Sequence, residues 1–187
     1  MNNIYFVMRH GHSLGNLKHI IISDPKNGVP HYGLSALGKK QVIASISKNK
    51  DLDKNTIIYS SDFKRARETA EIVRVHIKAK PIVLSKQLRE RNFGKLEKKD
   101  YTNFYLKVWE CDFSGVPYKG IESVYSIANR FKELIKDLET KYKGKKILLV
   151  THGDLASVGL TVFNNKDPKY HNKLYSILEN AEIKKAN

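Results

Sequence analysis

Four short β-rich runs, at residues 4–8, 56–60, 81–84 and 146–150, alternate with longer stretches in which apolar residues recur at helical spacing. That alternation constrains the chain most, because strands separated by crossover helices build a largely parallel sheet covered on both faces. The class expected is therefore an α/β fold, a three-layer α/β/α sandwich. At 187 residues and 41% hydrophobic, with no proline- or serine-rich linker, the chain fits one domain spanning 1–187.

The run Ile4 to Met8 is apolar throughout and reads as a strand buried on both faces. A loop follows through "SDPKNGVPHYG". Leu37, Val42, Ile43 and Ile46 then predict a helix over about 36–49 with Ser35 as its N-cap. After "TIIYS", the residues Phe63, Ala66, Ala70 and Val73 predict a second helix behind an Asp62 cap. Residues 85–120 lose periodicity. Gly94, Gly115, Pro117 and Gly120 interrupt them around a helix near 100–109, and so long an excursion suits a cover over a substrate site. An amphipathic pattern over 122–142 stops at Gly144, and "KILLV" leads into a short helix around 154–163.

In open α/β sheets ligands bind beyond the carboxyl ends of the strands. Two of the runs end there in the same way, one on Arg9-His10-Gly11 and one on His152-Gly153. If those strands are neighbours, His10 and His152 meet at one sheet edge beside Arg9. Arginine offers a planar fork matched to phosphate oxygens, and histidine serves as nucleophile or donor near neutral pH. Arg65 belongs to the first turn of the helix after "TIIYS", where free backbone N–H groups and the helix dipole also favour an anion. Together these residues describe an anion pocket with a nucleophile inside. Releasing an alkoxide from a phosphate monoester also needs a proton donor. Glu90, in "LRERNFG", can supply one, although composition alone does not single it out from other acids.

Taken in order, "RHGHSLGN", "LSALGKKQ", "SSDFKRARETA", "LRERNFG" and "VTHG" resemble the histidine phosphatase superfamily, also called phosphoglycerate-mutase-like. The resemblance runs from residue 4 to about 160, and "ENAEI" is similar to the closing segment of the phosphatase members. It implies that His10 is the nucleophile forming a phosphohistidine. Arg9, Arg65 and His152 would bind the phosphoryl group, Glu90 would act as general acid and then base, and Asn16 with the backbone of Gly153 would hold phosphate oxygens. No metal-ligand cluster is seen, and neither metal nor another cofactor is expected. Three departures are His12, where many members carry Glu, Gln or another polar residue, "GKLEKKD" after the acid segment, where an acidic-glycine step is common, and "GIES" at Gly120 to Ser123, with an isoleucine extra to the family's "GES".

The expected activity is hydrolysis of a small anionic phosphomonoester. A mutase-type phosphoryl transfer and a phospholigand-binding module without turnover are the alternatives. The remaining histidines at 19, 31, 76 and 171 read as surface or structural, Arg67, Glu68 and Glu71 as a solvated helix face, and Tyr101, Tyr105 and Trp109 as packing or pocket wall. A balance of 34 Lys+Arg against 19 Asp+Glu gives +15 and attracts anions generally. The lysines are dispersed and no zinc, basic-heptad or RNA-binding signature occurs, so no specific nucleic-acid partner is expected. The single cysteine, Cys111, points to a reducing compartment, and the absence of a signal-like start or a membrane-length apolar run points to the cytoplasm, with no membrane partner. Oligomeric state leaves no mark in the sequence.

Overall fold

The computed structural model describes residues 1–187 apart from Asn103 and Ser176. In chain order the elements are β1 (Ile4–Arg9), α1 (Leu14–Leu17), α2 (Pro25–Gly28), α3 (Ala36–Lys48), β2 (Ile57–Ser60), α4 (Lys64–Ile77), β3 (Val83–Leu84), α5 (Tyr105–Ser114), α6 (Val124–Lys141), β4 (Lys146–Thr151), α7 (Gly153–Phe163), α8 (His171–Leu174) and β5 (Ile183–Lys185). The sheet order is β3-β2-β4-β1-β5. The first four strands run parallel, and only β5 pairs antiparallel, with β1. Among the described residues no helix is long and apolar enough to cross a membrane.

Alternation along each strand sorts its side chains into two cores. Tyr5, Val7, Ile147 and Leu149 pack against Ile127, Phe131 and Leu134 of α6 and Leu155 of α7. Phe6, Met8, Leu148 and Val150 face the other way, onto Val42 and Ile46 of α3 and Ala66, Ala70 and Val73 of α4. This is the expected three-layer sandwich. A third cluster, Ile21, Phe93, Val108 and Ile121, joins the loop after α1 to the irregular region and α5.

Several boundaries follow the sequence closely. Ser35 caps α3 by accepting from the Gly38 N–H, Ser123 caps α6 by accepting from Ser126, and Gly144 takes φ +65 beyond the end of α6. Others differ for identifiable reasons. The helix expected near 100–109 begins at Tyr105, because Asp100 first closes a turn by accepting the Thr102 N–H at 2.8 Å, and it runs to Ser114, where Gly115 at φ +80 ends it. Asp62 does not cap α4. Phe63 holds that position with no side-chain cap, while Asp62 takes both donors of Arg89 at 2.8 and 2.6 Å. The loop after β1 contains the short helices α1 and α2, capped by Ser13 and Asp24.

Candidate active site

The register of the sheet brings the two His-Gly ends together. Arg9 lies opposite Thr151 in the β1–β4 pair, and the His10 N–H donates to the Thr151 carbonyl at 2.9 Å. Beyond that edge the His10 and His152 rings lie 5.2 Å apart. On the other side of β4, the Ser61 N–H donates to the Val150 carbonyl at 3.0 Å, which carries the start of α4 and its Arg65 to the same place.

His10 is buried, and its two ring nitrogens have different partners. Nδ1 lies 2.7 Å from the Gly11 carbonyl oxygen, which can only accept, so Nδ1 carries the proton. Nε2 in turn accepts from the Arg65 Nε–H at 2.9 Å. Both contacts demand the same neutral tautomer, with an unshared pair on Nε2. Burial, then the charges of Arg65 and Arg9, hold His10 well below the usual imidazole range.

Three nitrogens of the residues gathered at this edge are buried without a hydrogen-bond partner among the described residues: Arg9 Nε, Arg65 Nη1 and His152 Nδ1. Buried polar atoms are ordinarily satisfied, so such a cluster, with two guanidinium donors in it, marks a place for an acceptor-rich group. Their side chains are held through other atoms. Arg9 Nη1 donates to the Leu178 carbonyl at 2.7 Å, Arg65 Nη2 to the Ile22 carbonyl at 2.9 Å, and His152 Nε2 meets Ser61 Oγ at 2.9 Å. Burial draws the Arg65 guanidinium down to about 10, still charged at neutral pH. His152 is held well below its usual range by burial, then by Arg65 and His10.

Glu90 reaches the same recess from the segment after β3. Its Oε1 accepts from the Arg91 N–H at 2.9 Å and faces the Leu155 N–H at 3.4 Å, so both backbone contacts fall on one oxygen. Burial, then the Asp154 carboxylate, raises its pKa, while the Arg91 N–H, Arg65 and Arg9 act in the opposite direction. Behind it Arg91, fully buried, donates to both oxygens of Asp112 at 2.6 and 2.7 Å and lies 3.5 Å from Asp154 Oδ2. Asp112 also faces His171, and His171 meets Ser157, so α5, α7 and α8 are fastened together under the site.

The other two expected residues are placed differently. The Asn16 side-chain oxygen closes the α1 cap by accepting from Ser13, and the residue lines the cavity. Gly153 opens α7 beside Arg9, where a Cβ would still clear its neighbours by 3.4 Å or more. A recess of about 40 Å3 bounded by Arg9, His10, Arg65 and Glu90 shares Arg9, Asn16, Glu90, Tyr101 and Tyr105 with an outer cavity of about 600 Å3. His12 and His19 line that outer cavity, and His19 is exposed, as expected of a surface residue. Glu68, expected on a solvated face, instead accepts the Leu34 N–H at 2.6 Å; Glu71 pairs with Arg74 on the helix surface as expected. Sequence reasoning gave no place to Ser61, Thr69 (which accepts the Gly11 N–H at 3.2 Å), Arg91 or Asp154.

An α/β/α sandwich with a neutral imidazole enclosed by guanidinium groups at the sheet's carboxyl edge defines an α/β protein with an anion pocket built around a histidine. The chain belongs to the histidine phosphatase superfamily (branch 1), whose family model matches residues 5–186. It is similar to a metal-independent phosphoserine phosphatase of Arabidopsis thaliana, 26% identical over 158 residues, covering 79% of this chain but only 63% of that relative. It is also 28% identical over 183 residues to a Bacillus subtilis (strain 168) protein named "Uncharacterized phosphatase PhoE", covering 95% of this chain and 89% of that one. Among solved structures, Bacillus stearothermophilus YhfR shares the fold with a TM-score of 0.79 at 20% identity, over 97% of this chain and 89% of that chain.

Proposed function

We propose that the protein is a metal-independent phosphomonoesterase that works through a phosphohistidine on His10. The observation that carries this reading is the pair of unpartnered buried guanidinium donors, Arg9 Nε and Arg65 Nη1, beside a neutral His10 whose Nε2 carries no proton. Phosphatase-named relatives support the same reading.

Substrate phosphate oxygens take the donors of Arg9, Arg65 and His152, with Asn16 and the Gly153 N–H at the rim. Binding releases Nε2 from Arg65. Nε2 then attacks phosphorus, the P–O bond to the leaving group breaks, and Glu90 gives its Oε2 proton to the departing oxygen. The Nδ1–H bond to Gly11 steadies the positive charge that the ring acquires. Glu90, now a carboxylate, takes a proton from water, and the hydroxide so formed attacks phosphorus. The P–N bond breaks, inorganic phosphate leaves, and His10 and Glu90 return to their starting states. The two arginines neutralise the phosphoryl charge and His152 adds a hydrogen bond, which is why the reaction is proposed as metal-independent. Residues 1–187 are taken as one phosphatase domain with 85–120 covering the pocket, acting on a small phosphorylated metabolite in the cytoplasm.

Glu90→Gln tests the acid. It is expected to lower kcat on an alkyl phosphate by about 100-fold or more, and on an aryl phosphate far less, because an aryl oxide leaves without full protonation. Equal losses on both esters would remove Glu90 from that role.

A further inference from the structure

We infer that the outer cavity selects a substrate whose leaving group is uncharged and carries a flat aromatic face. The inference rests on the phosphatase reading above and adds the class of ester hydrolysed.

One wall of the cavity is a ladder of rings. Tyr105 and Trp109 lie four residues apart on one face of α5, with centroids 5.3 Å apart, and Tyr101 follows at 5.9 Å from Tyr105. The ladder is held before any ligand arrives. Phe93, fully buried, backs Tyr105 at 5.3 Å, and Trp109 Nε1 donates to Asp154 Oδ1 at 3.4 Å, which satisfies its polar edge while the ring lines the cavity. Preset rings bind a flat apolar group without losing further rotamer freedom, and they prefer stacked or edge-on partners. Leu17 and Ile177 add aliphatic surface to the same cavity.

Charge supplies the second half of the inference. The chain has 34 Lys+Arg, yet among the described lining residues the only one is Arg9, whose unpartnered Nε belongs to the phosphoryl recess. Glu90 is the only carboxylate there and serves the same chemistry. A carboxylate or second phosphate on the leaving group would be desolvated against the rings with no lysine or further arginine among the described lining residues to meet it, an unfavourable exchange. Hydroxyl or ether groups, by contrast, find the uncharged amide of Asn180 and the imidazole of His12, whose pKa is lowered by burial and then by His19 and Arg9.

The test ranks kcat/KM by phosphate release for 2-phenylethyl phosphate, butyl phosphate and O-phosphoserine, three alkyl esters, so that the aryl advantage in leaving ability plays no part. Phenylethyl phosphate is expected about tenfold above butyl phosphate, with phosphoserine lowest. In Leu17→Arg, which adds a cation at the cavity rim, the ratio of phosphoserine to phenylethyl phosphate kcat/KM is expected to rise about fivefold. A ratio is insensitive to the fraction of folded enzyme. Phosphoserine turned over as well as or better than phenylethyl phosphate would overturn the substrate class and leave the phosphatase reading standing. If the parent protein hydrolysed none of the three and no phosphoryl label reached His10, the phosphatase reading itself would fall, and the inference with it.

Discussion

His10 shows how little freedom a single residue has here. The Gly11 carbonyl fixes its proton on Nδ1, the Arg65 guanidinium confirms the pair on Nε2, and burial keeps the ring neutral. Glu90 faces the converse problem. As the proposed acid it has to hold its proton beside Arg9 and Arg65, both of which favour its ionised form, while burial and the Asp154 carboxylate oppose them. Removing that charge in Asp154→Asn lowers the Glu90 pKa, so the acid is lost at lower pH. The alkaline limb of kcat/KM on an alkyl phosphate is expected to move down by about one pH unit, and an unmoved limb would contradict the role. Arg9, His10, Arg65 and His152 were legible in the sequence because each stands at a strand end or helix start where the fold class puts ligands. Glu90 needed the family resemblance to separate it from other acids. Asp154, Ser61 and Arg91 were not legible, since burial beside a distant segment is what gives them their work, and nothing local announces it.

At the scale of elements, "LSALGKKQ" acquires a physical reason that helical periodicity did not supply. The first turn of α3 lies directly against the loop that leaves His10. A Cβ at Gly38 would stand 2.0 Å from the His12 carbonyl oxygen, and one at Gly11 would stand 2.6 Å from the Gly38 carbonyl. Neither backbone can retreat without moving His10. Gly38→Ala is therefore expected to cost about 1–3 kcal/mol in urea unfolding and to reduce turnover with it, and parent-like values of both would show that the loop yields freely. The long, periodic helices and the apolar strands were readable because one period ran through each. The strand β5 was not. Its "IKK" is three residues with two lysines, suited to an exposed edge and carrying no apolar alternation. The start of α5 was misplaced because a turn formed by Asp100 and Thr102 precedes it.

For the whole molecule, burying neutral imidazoles at the sheet edge has a consequence for stability. His10 and His152 have folded pKa values below the unfolded value near 6.5, so below that pH the unfolded chain binds protons that the folded chain refuses. Stability contributed by these two is present above pH 6.5 and is lost as pH falls. Glu90, raised in the fold, acts in the opposite sense between its folded and unfolded values. Two histidines act against one carboxylate, so the net effect of the three is a loss of stability as pH falls through the window below about 6.5, the unfolded imidazole value. Thermal melts are expected to show a falling Tm across that window and a flatter dependence in His10→Asn; a Tm that rises on acidification would contradict the burial of neutral rings. The sandwich itself was legible from the alternation of strands and helices, whereas the pairing of its first and fourth strands, which makes one site of two His-Gly ends, is a long-range fact that the sequence only suggested.

The central claim is that His10 carries the phosphoryl group, and it can be observed directly. The protein is mixed with a phosphomonoester, quenched in alkali while phosphate is being released, digested and mapped by mass spectrometry, since a phosphohistidine survives alkali and is lost in acid. The expected result is one alkali-stable, acid-labile phosphoryl group on the peptide containing His10, absent from the His10→Asn protein. Steady phosphate release with no label on that peptide, or with the label on His152 instead, would contradict the account.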